Sequence, residues 1–224
     1  MKTYDTFVIE SKETLDKCPI FHVDNVLWGS KTAPATTGRM GYIRGLGLFV
    51  RMTVNEPNPL RTMTEHMDMV CRDSAVEAFF AFPGDNDPYF NDDFRPDDNG
   101  LYFNFEINAN GAMYAKTGRG RKGRSPLLPD EMEATGVTAR LFTGGWEAEF
   151  LVPLSLLRRL VRVEDYEPGD VFFCNFYKIS ENPEIEHYLA FAPITTETPN
   201  FHLPRFFARS TVQDPKETAD ASPH

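Results

Sequence analysis

The sequence predicts an all-β protein, an antiparallel β-sandwich of the immunoglobulin-like or jelly-roll type with one short helix. Three observations support this fold class. Short stretches of alternating apolar and polar residues recur along the chain, and tight-turn signals separate them. Aromatic residues, which favour strands, make up 13% of the 224 residues. Only residues 154–161 carry a convincing helical pattern.

The individual strands follow from local patterns. The clearest is GLGLFVRMTV at residues 45–54, where apolar side chains recur at every second position. Residues 101–116 are predicted to form a hairpin, because Asn110-Gly111 is a strong signal for a two-residue turn. A second hairpin is predicted across residues 143–145. The other predicted strands cover residues 4–10, 21–28, 75–82, 171–179, 188–194 and 206–212.

We expect residues 1–212 to form a single domain, because neither an internal repeat nor a linker divides them. The polar tail QDPKETADASPH, residues 213–224, is predicted to be disordered. The three cysteines show no paired spacing, which favours buried free thiols over a disulfide.

The charge and hydropathy of the chain limit the classes of partner and the compartments that we expect for it. A net charge of -10 argues against nucleic acid or an anionic membrane as the main partner. No apolar run approaches the roughly 18 residues of a membrane-spanning helix. The chain as written is therefore expected in the cytoplasm, or in an extracellular or periplasmic space if a signal peptide has been removed. The sequence leaves the oligomeric state open.

One carboxylate stands inside the apolar run CRDSAVEAFFAF, residues 71–82. Strand alternation places Glu77 on the same face as Phe79. An unpaired buried charge is costly, so Glu77 needs a protein partner, a metal or a ligand. Lys178, Arg72 and Arg205 are the candidate internal partners.

Two other predicted strands also have one apolar face and one face with polar groups. Asn104 and Glu106 share a face in the first strand, and Asn175 and Tyr177 share a face in the second. If these strands neighbour the strand of Glu77, their second faces form a platform of carboxylates, amides and rings. Sugars are bound by such a mixture, because polar groups bond hydroxyls and flat rings cover apolar C–H faces. The alternative is an ordinary solvated outer face of the sheet.

Other motifs carry less information. The segment KTGRGRKGR at 116–124 contains GxGxxG, but prolines follow it instead of a helix, which excludes a dinucleotide fingerprint. Its five basic residues favour a solvated loop, with anion binding as the alternative. The acidic loop 85–100 fails the EF-hand pattern and leaves weak calcium binding open. His66, Asp68 and Asp73 fit no metal-site spacing. Candidates for the acid pair of a glycoside hydrolase are Glu77, Glu106, Glu147 and Glu149.

Five segments in order resemble the family 9-like carbohydrate-binding proteins. They lie between residues 21 and 207: D-S-x-V-E-x-F from Asp73, then YFNFEINANG, GWEAEFLVP, CNFYK and PNFHLPRFF. The resemblance implies a β-sandwich module, related to the DOMON-type sandwiches, that binds sugars without catalytic residues. It also implies structural calcium ions near the site.

Some of the family's sugar-binding positions hold suitable residues in this chain, and others do not. The carboxylate that accepts sugar hydroxyls falls on Glu77, and one of two stacking tryptophans falls on Phe201. The other tryptophan falls near Cys71, and the ligand-binding arginine near Phe103. Trp28 and Trp146, the tryptophans that the chain does have, are expected in the core.

The sequence thus favours non-catalytic binding of a mono- or oligosaccharide. The predicted site residues are Glu77, Asn104, Glu106, Asn175 and Tyr177, with Phe201 and His202 closing the rim. The alternatives are a glycan-processing enzyme that uses Glu77 and Glu106, and a degenerate sandwich that acts as an interaction protein. No catalytic residue or certain cofactor is assigned.

Overall fold

The computed structural model describes residues 1–83 and 95–215. The described chain is mostly β-structure, as predicted. Its strands, in chain order, are β1 (Thr3–Val8), β2 (Phe21–His22), β3 (Asn25–Val26), β4 (Thr36–Ile43), β5 (Gly47–Val54), β6 (Ala75–Ala81), β7 (Leu101–Asn108), β8 (Met113–Arg119), β9 (Gly123–Pro126), β10 (Thr138–Phe142), β11 (Gly145–Pro153), β12 (Val171–Ser180), β13 (His187–Ala190) and β14 (Ala208–Gln213).

The described strands join into one continuous curled sheet. Its hydrogen-bonded order is β10-β11-β5-β4-β1-β14-β12-β6-β7-β8-β9, with β13 pairing with β12 and β3, and β2 pairing with β4. The two halves of the sheet face each other across the core, since the ring of Phe105 on β7 lies 5.2 Å from that of Phe150 on β11. A single curled sheet therefore replaces the two separate sheets of the predicted sandwich.

The prediction of purely antiparallel pairing is wrong at β1. This strand runs parallel to both neighbours, with Phe7 opposite Gly41 on β4 and Thr3 opposite Arg209 on β14. The other pairings in the described chain, such as those of β6 with β7 and β12, are antiparallel. The alternation of residues in a strand reveals its faces but not its direction, so β1 gave no signal of its parallel insertion.

Two α-helices accompany the described sheet. The predicted helix is confirmed as α2 (Leu154–Val161), whose apolar side chains are buried in the core. The sequence did not predict α1 (Pro129–Ala134), since six residues are too few to show a helical period. Glu131 stabilises its start by accepting a 2.9 Å hydrogen bond from the Leu128 backbone N–H. Three short 3-10 helices, Lys12–Lys17, Val70–Arg72 and Pro204–Phe206, complete the regular structure.

The strands β6, β7 and β12 are adjacent and buried on both faces. One face contributes Phe80, Phe105 and Phe176 to the central core between the two halves of the sheet. The other contributes Phe79 and Tyr177 to a second core on the outside of these strands. Each fully buried side chain of this kind stabilises the fold by about 1.5–3 kcal/mol. The second core explains why these strands are apolar on both faces, and its outer end forms the site described below.

Several smaller predictions are settled by the structure. Cys18, Cys71 and Cys174 are free and buried, and Trp146 is fully buried in the central core, as predicted. Gln213 still belongs to β14, and residues 216–224 of the predicted tail lie outside the described residues. Every helix in the described part of the chain is too short or too polar to span a membrane.

Candidate functional site

A cavity of about 440 Å³ opens at the outer end of the second core. Strands β6 and β7 supply an acidic floor with Glu77 and Glu106. The turn after β3 and the loop before the last 3-10 helix supply aromatic rings, and the β8–β9 hairpin supplies cations. The cavity therefore combines the three kinds of side chain that commonly contact sugars.

The floor is a pair of carboxyl groups on neighbouring strands. Glu77 and Glu106 are register partners and are only 3% and 7% exposed. Glu106 accepts a 2.9 Å hydrogen bond from the Asn104 side-chain amide. Among the described residues, no hydrogen bond or ion pair reaches the Glu77 carboxylate. Glu77 therefore keeps its hydrogen-bonding capacity for whatever enters the cavity.

None of the three predicted internal partners forms an ion pair with Glu77 in the described chain. Lys178 donates a 2.6 Å hydrogen bond to the Ser74 hydroxyl and lies 3.7 Å from Glu56, on the central-core face of β12. Arg205 pairs with Asp98. Arg72 is exposed. Alternation along β12 explains the result for Lys178, because its side chain points away from the cavity face that carries Tyr177.

Burial changes the protonation of the two carboxyl groups on the floor, Glu77 and Glu106. Burial, followed by the charges of Glu106 and Glu181, raises the pKa of Glu77 well above its usual range. Burial also raises the pKa of Glu106 to about 7, against the opposing charge of Arg124. The pair therefore holds a proton at neutral pH, and it offers both a donor and an acceptor to a hydroxyl group.

Trp28 and Phe201 form the aromatic wall of the cavity. Their ring centroids are 5.4 Å apart, and Tyr188 packs edge-on against Trp28 at 5.7 Å. The Trp28 indole N–H donates a 2.7 Å hydrogen bond to the Thr196 carbonyl, which fixes the ring. The prediction that Trp28 is a core residue is therefore wrong. Its half-buried ring lies on the wall of the cavity, because the pairing of β3 with β13 brings this segment there.

The basic segment 116–124 belongs to a hairpin and not to an open loop, although its tip at residues 121–123 is exposed, as predicted. Its glycines allow β8 and β9 to approach closely: a Cβ on Gly118, whose φ is +155°, would lie 2.1 Å from the Gly123 carbonyl oxygen. This hairpin places Arg121, Lys122 and Arg124 on the cavity wall. Phe103, where the resemblance places an arginine, is fully buried in the central core, so the hairpin supplies the guanidinium groups.

Four of the seven predicted site residues line the cavity: Glu77, Glu106, Phe201 and His202. His202 packs on the ring of Phe79 at 5.0 Å, and its Nδ1 lies 3.0 Å from the Tyr102 hydroxyl. Burial, together with the charges of Arg124 and Arg121, lowers the pKa of His202 to about 2. The ring is therefore neutral and hydrogen-bonds to Tyr102 at the edge of the cavity.

The other three predicted residues lie behind the wall. Asn104 is fully buried and bridges Glu106 and Arg124, accepting a short hydrogen bond from the guanidinium group. Tyr177 stacks beneath Phe201 with ring centroids 4.1 Å apart. Asn175 donates a hydrogen bond to the Ala192 carbonyl and accepts one from the Ala192 N–H, at 3.0 and 2.8 Å. These three residues support the lining, and none of them lines the cavity itself, so the prediction that they contact a ligand there is not met.

Cys71 lies on the cavity wall at the position that the resemblance gives to a stacking tryptophan. Its thiol donates a 3.4 Å hydrogen bond to Glu181. Burial and the charge of Glu181 raise the pKa of this thiol, so it is uncharged at neutral pH. In this chain, the tryptophan ring of the cavity comes from the segment after β3.

The residues considered for a metal site have structural roles. Asp73 accepts hydrogen bonds from the backbone N–H groups of Thr62 and Met63, both at 2.8 Å. His66 accepts one from the Met113 N–H at 3.1 Å. Within residues 1–83 and 95–215, three or more His, Cys, Asp or Glu side chains nowhere form a metal-binding group. Most of the acidic loop, residues 85–94, lies outside the described residues, so calcium binding there stays a prediction.

One family model and several solved structures match the chain. The model of carbohydrate-binding family 9 matches residues 9–212. A protein from Bacteroides uniformis, described as a candidate carbohydrate-binding protein, is 21% identical, with a TM-score of 0.77 over 95% of this chain and 99% of its own. A family 9 module from Caldicellulosiruptor kristjanssonii in complex with cellotriose is 12% identical, with a TM-score of 0.62 over 100% of both chains.

The same module in complex with glucose gives a TM-score of 0.61, covering 98% of this chain and 100% of its own. No curated protein sequence matches the chain. At these identities the solved structures establish the fold, whereas the family model establishes membership. The chain belongs to carbohydrate-binding family 9, and its class is that of a carbohydrate-binding module.

Proposed function

We propose that the chain binds a mono- or oligosaccharide, without catalysis, in the cavity between Trp28 and the floor formed by Glu77 and Glu106. The observation that carries this proposal is the position of Glu77. It is nearly buried, it faces the cavity, and its carboxylate has no bonding partner among the described residues. A sugar hydroxyl would complete its hydrogen bonds.

The shape and chemistry of the cavity suit a sugar ring. A volume of about 440 Å³ lies in the usual range for small-molecule sites. The half-buried ring of Trp28 offers an apolar face for the C–H groups of a pyranose. The floor supplies polar groups for its hydroxyls. Relatives of this fold have been solved with cellotriose and with glucose, which makes these two sugars the first ligands to test.

The arrangement favours binding over hydrolysis. A glycoside hydrolase needs its two carboxyl groups on opposite sides of the scissile bond, about 5 Å or more apart. Glu77 and Glu106 are instead register partners that project from the same face of one sheet. Both would therefore contact the same side of a ligand. This geometry suits two adjacent hydroxyl groups.

Isothermal titration calorimetry with glucose, xylose, cellobiose and cellotriose tests the proposal. We expect saturable binding with a dissociation constant of about 0.1–10 mM, equivalent to roughly 3–5.5 kcal/mol, since one tryptophan ring contributes to stacking. In parallel, aryl glycosides should release no aryl alcohol. Turnover that disappears in Glu77→Gln would support the enzyme instead. Absence of binding by every sugar, charged sugars included, would support the interaction-protein alternative and overturn the proposal.

A further inference from the structure

We infer that the sugar bound in this cavity carries an anionic substituent, a carboxylate, sulfate or phosphate group. The inference rests on the proposed function and narrows its ligand class. It is carried by the charge distribution of the cavity, with carboxyl groups on the floor and three cations, Arg121, Lys122 and Arg124, on the β8–β9 hairpin.

Two of these cations lack an acidic partner within residues 1–83 and 95–215. Among the described residues, neither Arg121 nor Lys122 forms an ion pair, although both line the cavity. Other exposed cations, such as Lys12 and Lys17, are also unpaired in the described chain, so the position of Arg121 and Lys122 on the cavity wall is what carries the inference. The two unpaired cations therefore lie beside a binding cavity, where a ligand would reach them.

Arg124 has a separate role in the same hairpin. Its guanidinium group bonds Asn104, which in turn donates to Glu106, so its charge offsets that of the acidic floor. Its guanidinium carbon also lies 5.8 Å from the centre of the Tyr102 ring. Arg124 is thus engaged in a hydrogen bond within the protein. Arg121 and Lys122 take no part in the hydrogen bonds that link the hairpin to Glu106.

The charge of Arg121 acts on the interior of the cavity. It opposes the rise in the pKa of Glu77 and helps to lower the pKa of His202, so it acts on both groups. His202 lies beside the hairpin, because the Tyr102 hydroxyl bonds both His202 Nδ1, at 3.0 Å, and the Gly120 carbonyl, at 3.5 Å. An anion at Arg121 and Lys122 would therefore meet positive charge from the hairpin and no negative charge from the neutral imidazole of His202.

The ligand that satisfies both halves of the cavity is a polar ring with one charged end. Its hydroxyl groups would meet Glu77 and Glu106, and its anionic group would meet Arg121 and Lys122. A neutral sugar would leave the two cations solvated and would gain only the contacts with the floor and the rings. Charge-assisted hydrogen bonds are roughly twice as strong as neutral ones, so the anionic sugar should bind more tightly.

Matched sugar pairs test this inference by calorimetry at 50 mM and 500 mM NaCl. The pairs are glucose with glucuronic acid, galactose with galacturonic acid, and glucose with its 6-sulfate and 6-phosphate. We expect the anionic member of at least one pair to bind about tenfold more tightly at 50 mM NaCl. The preference should shrink at 500 mM NaCl, because salt screens exposed cations. The arm that shows the largest preference identifies the anionic group.

The double variant Arg121→Ala/Lys122→Ala provides the decisive comparison. In it, the ratio of anionic to neutral affinity should fall to about one. The matched control is Lys12→Ala/Lys17→Ala, which removes two exposed cations from a 3-10 helix outside the cavity and should leave the ratio unchanged. Equal affinities within every pair, or a preference that survives the hairpin variant, would overturn the inference while the proposed function stands. Failure of all sugars to bind overturns both.

Discussion

Glu77 and Glu106 stand directly opposite each other on the antiparallel strands β6 and β7, and both are nearly buried. Like charges in this relationship destabilise a sheet. The raised pKa values of both carboxyl groups express the same cost, because they hold a proton that exposed glutamates would release. The two facing carboxyl groups on the floor of the cavity therefore lower the stability of the ligand-free protein.

The stability of the free protein should depend on this pair between about pH 4.5 and 7. The folded-state pKa of Glu106 is about 7, above the usual 4.5, so the folded protein binds the proton more tightly than the unfolded chain. The stabilisation is complete below pH 4.5 and is lost as the pH rises through 7. Relative to wild type, Glu106→Gln should gain roughly 1–3 kcal/mol of unfolding free energy between pH 5 and 8.

Urea denaturation at several pH values measures this difference. Glu133→Gln, at an exposed position outside the cavity, serves as the control and should follow the wild-type pH profile. A constant difference between Glu106→Gln and wild type from pH 5 to 8 would mean that Glu106 titrates normally.

Glu77→Gln should weaken sugar binding at pH 7, where burial favours the protonated form of Glu77. The substitution preserves the shape of the side chain and replaces its carboxyl group by an amide. We expect a loss of about 0.5–1.5 kcal/mol, the range for a hydrogen bond between neutral groups. Calorimetric titration of wild type, Glu77→Gln and Glu133→Gln with the same sugar gives the comparison. Equal affinities in all three proteins would assign Glu77 a purely structural role.

Trp28→Ala should reduce sugar affinity by about 1 kcal/mol or more, because it removes a half-buried indole ring from the cavity wall. Phe142→Ala is the matched control, since Phe142 is an aromatic residue, 36% exposed, on the edge strand β10 and outside the cavity. Titration of the Trp28 fluorescence in wild type adds a direct signal. If both variants bind like wild type, the sugar does not stack on Trp28.

Lys178→Met should destabilise the fold without any involvement of the sugar. Lys178 is fully buried, and its ammonium group lies 2.6 Å from the Ser74 hydroxyl, 2.8 Å from His187 Nε2 and 3.7 Å from Glu56. Its removal leaves the Glu56 carboxylate without its cation, a change that typically costs about 3–5 kcal/mol.

The double variant Lys178→Met/Glu56→Gln should recover part of that loss in urea denaturation, because no uncompensated charge is left. A double variant less stable than Lys178→Met would show that packing, and not charge, explains the role of Lys178. Sugar affinity of the folded fraction should stay at the wild-type value.

The sequence predicted the parts of the site that lie on regular strands. Alternation placed Glu77 and Glu106 on one face and showed that this face was unlike a normal core. The same reasoning failed for Asn175, because alternation identifies a face but does not show that residues 192–201 cover part of it. The backbone carbonyl and N–H groups of Ala192 form hydrogen bonds with the Asn175 side-chain amide, which the alternation pattern had assigned to a ligand.

The cavity residues that the sequence did not predict lie outside segments with a periodic pattern. Trp28 follows a two-residue strand and has a positive φ of 48°, so no pattern indicates where its ring points. The role of Arg124 depends on the close pairing of β8 with β9, in which Gly118 faces Arg124. The glycines that permit this pairing were visible as GxGxxG. Their spacing alone did not distinguish a tight hairpin from an open loop.

The acidic floor and the basic hairpin differ in how freely they can change. The floor lies on strands whose opposite face belongs to the central core, so substitutions there disturb folding and recognition together. The hairpin ends the described sheet, and β9 pairs only with β8 there. Its tip can vary in charge and length without repacking the interior. Ligand preference in such a module can therefore diverge by changes at one margin of the sheet, while the acidic floor of the cavity is retained.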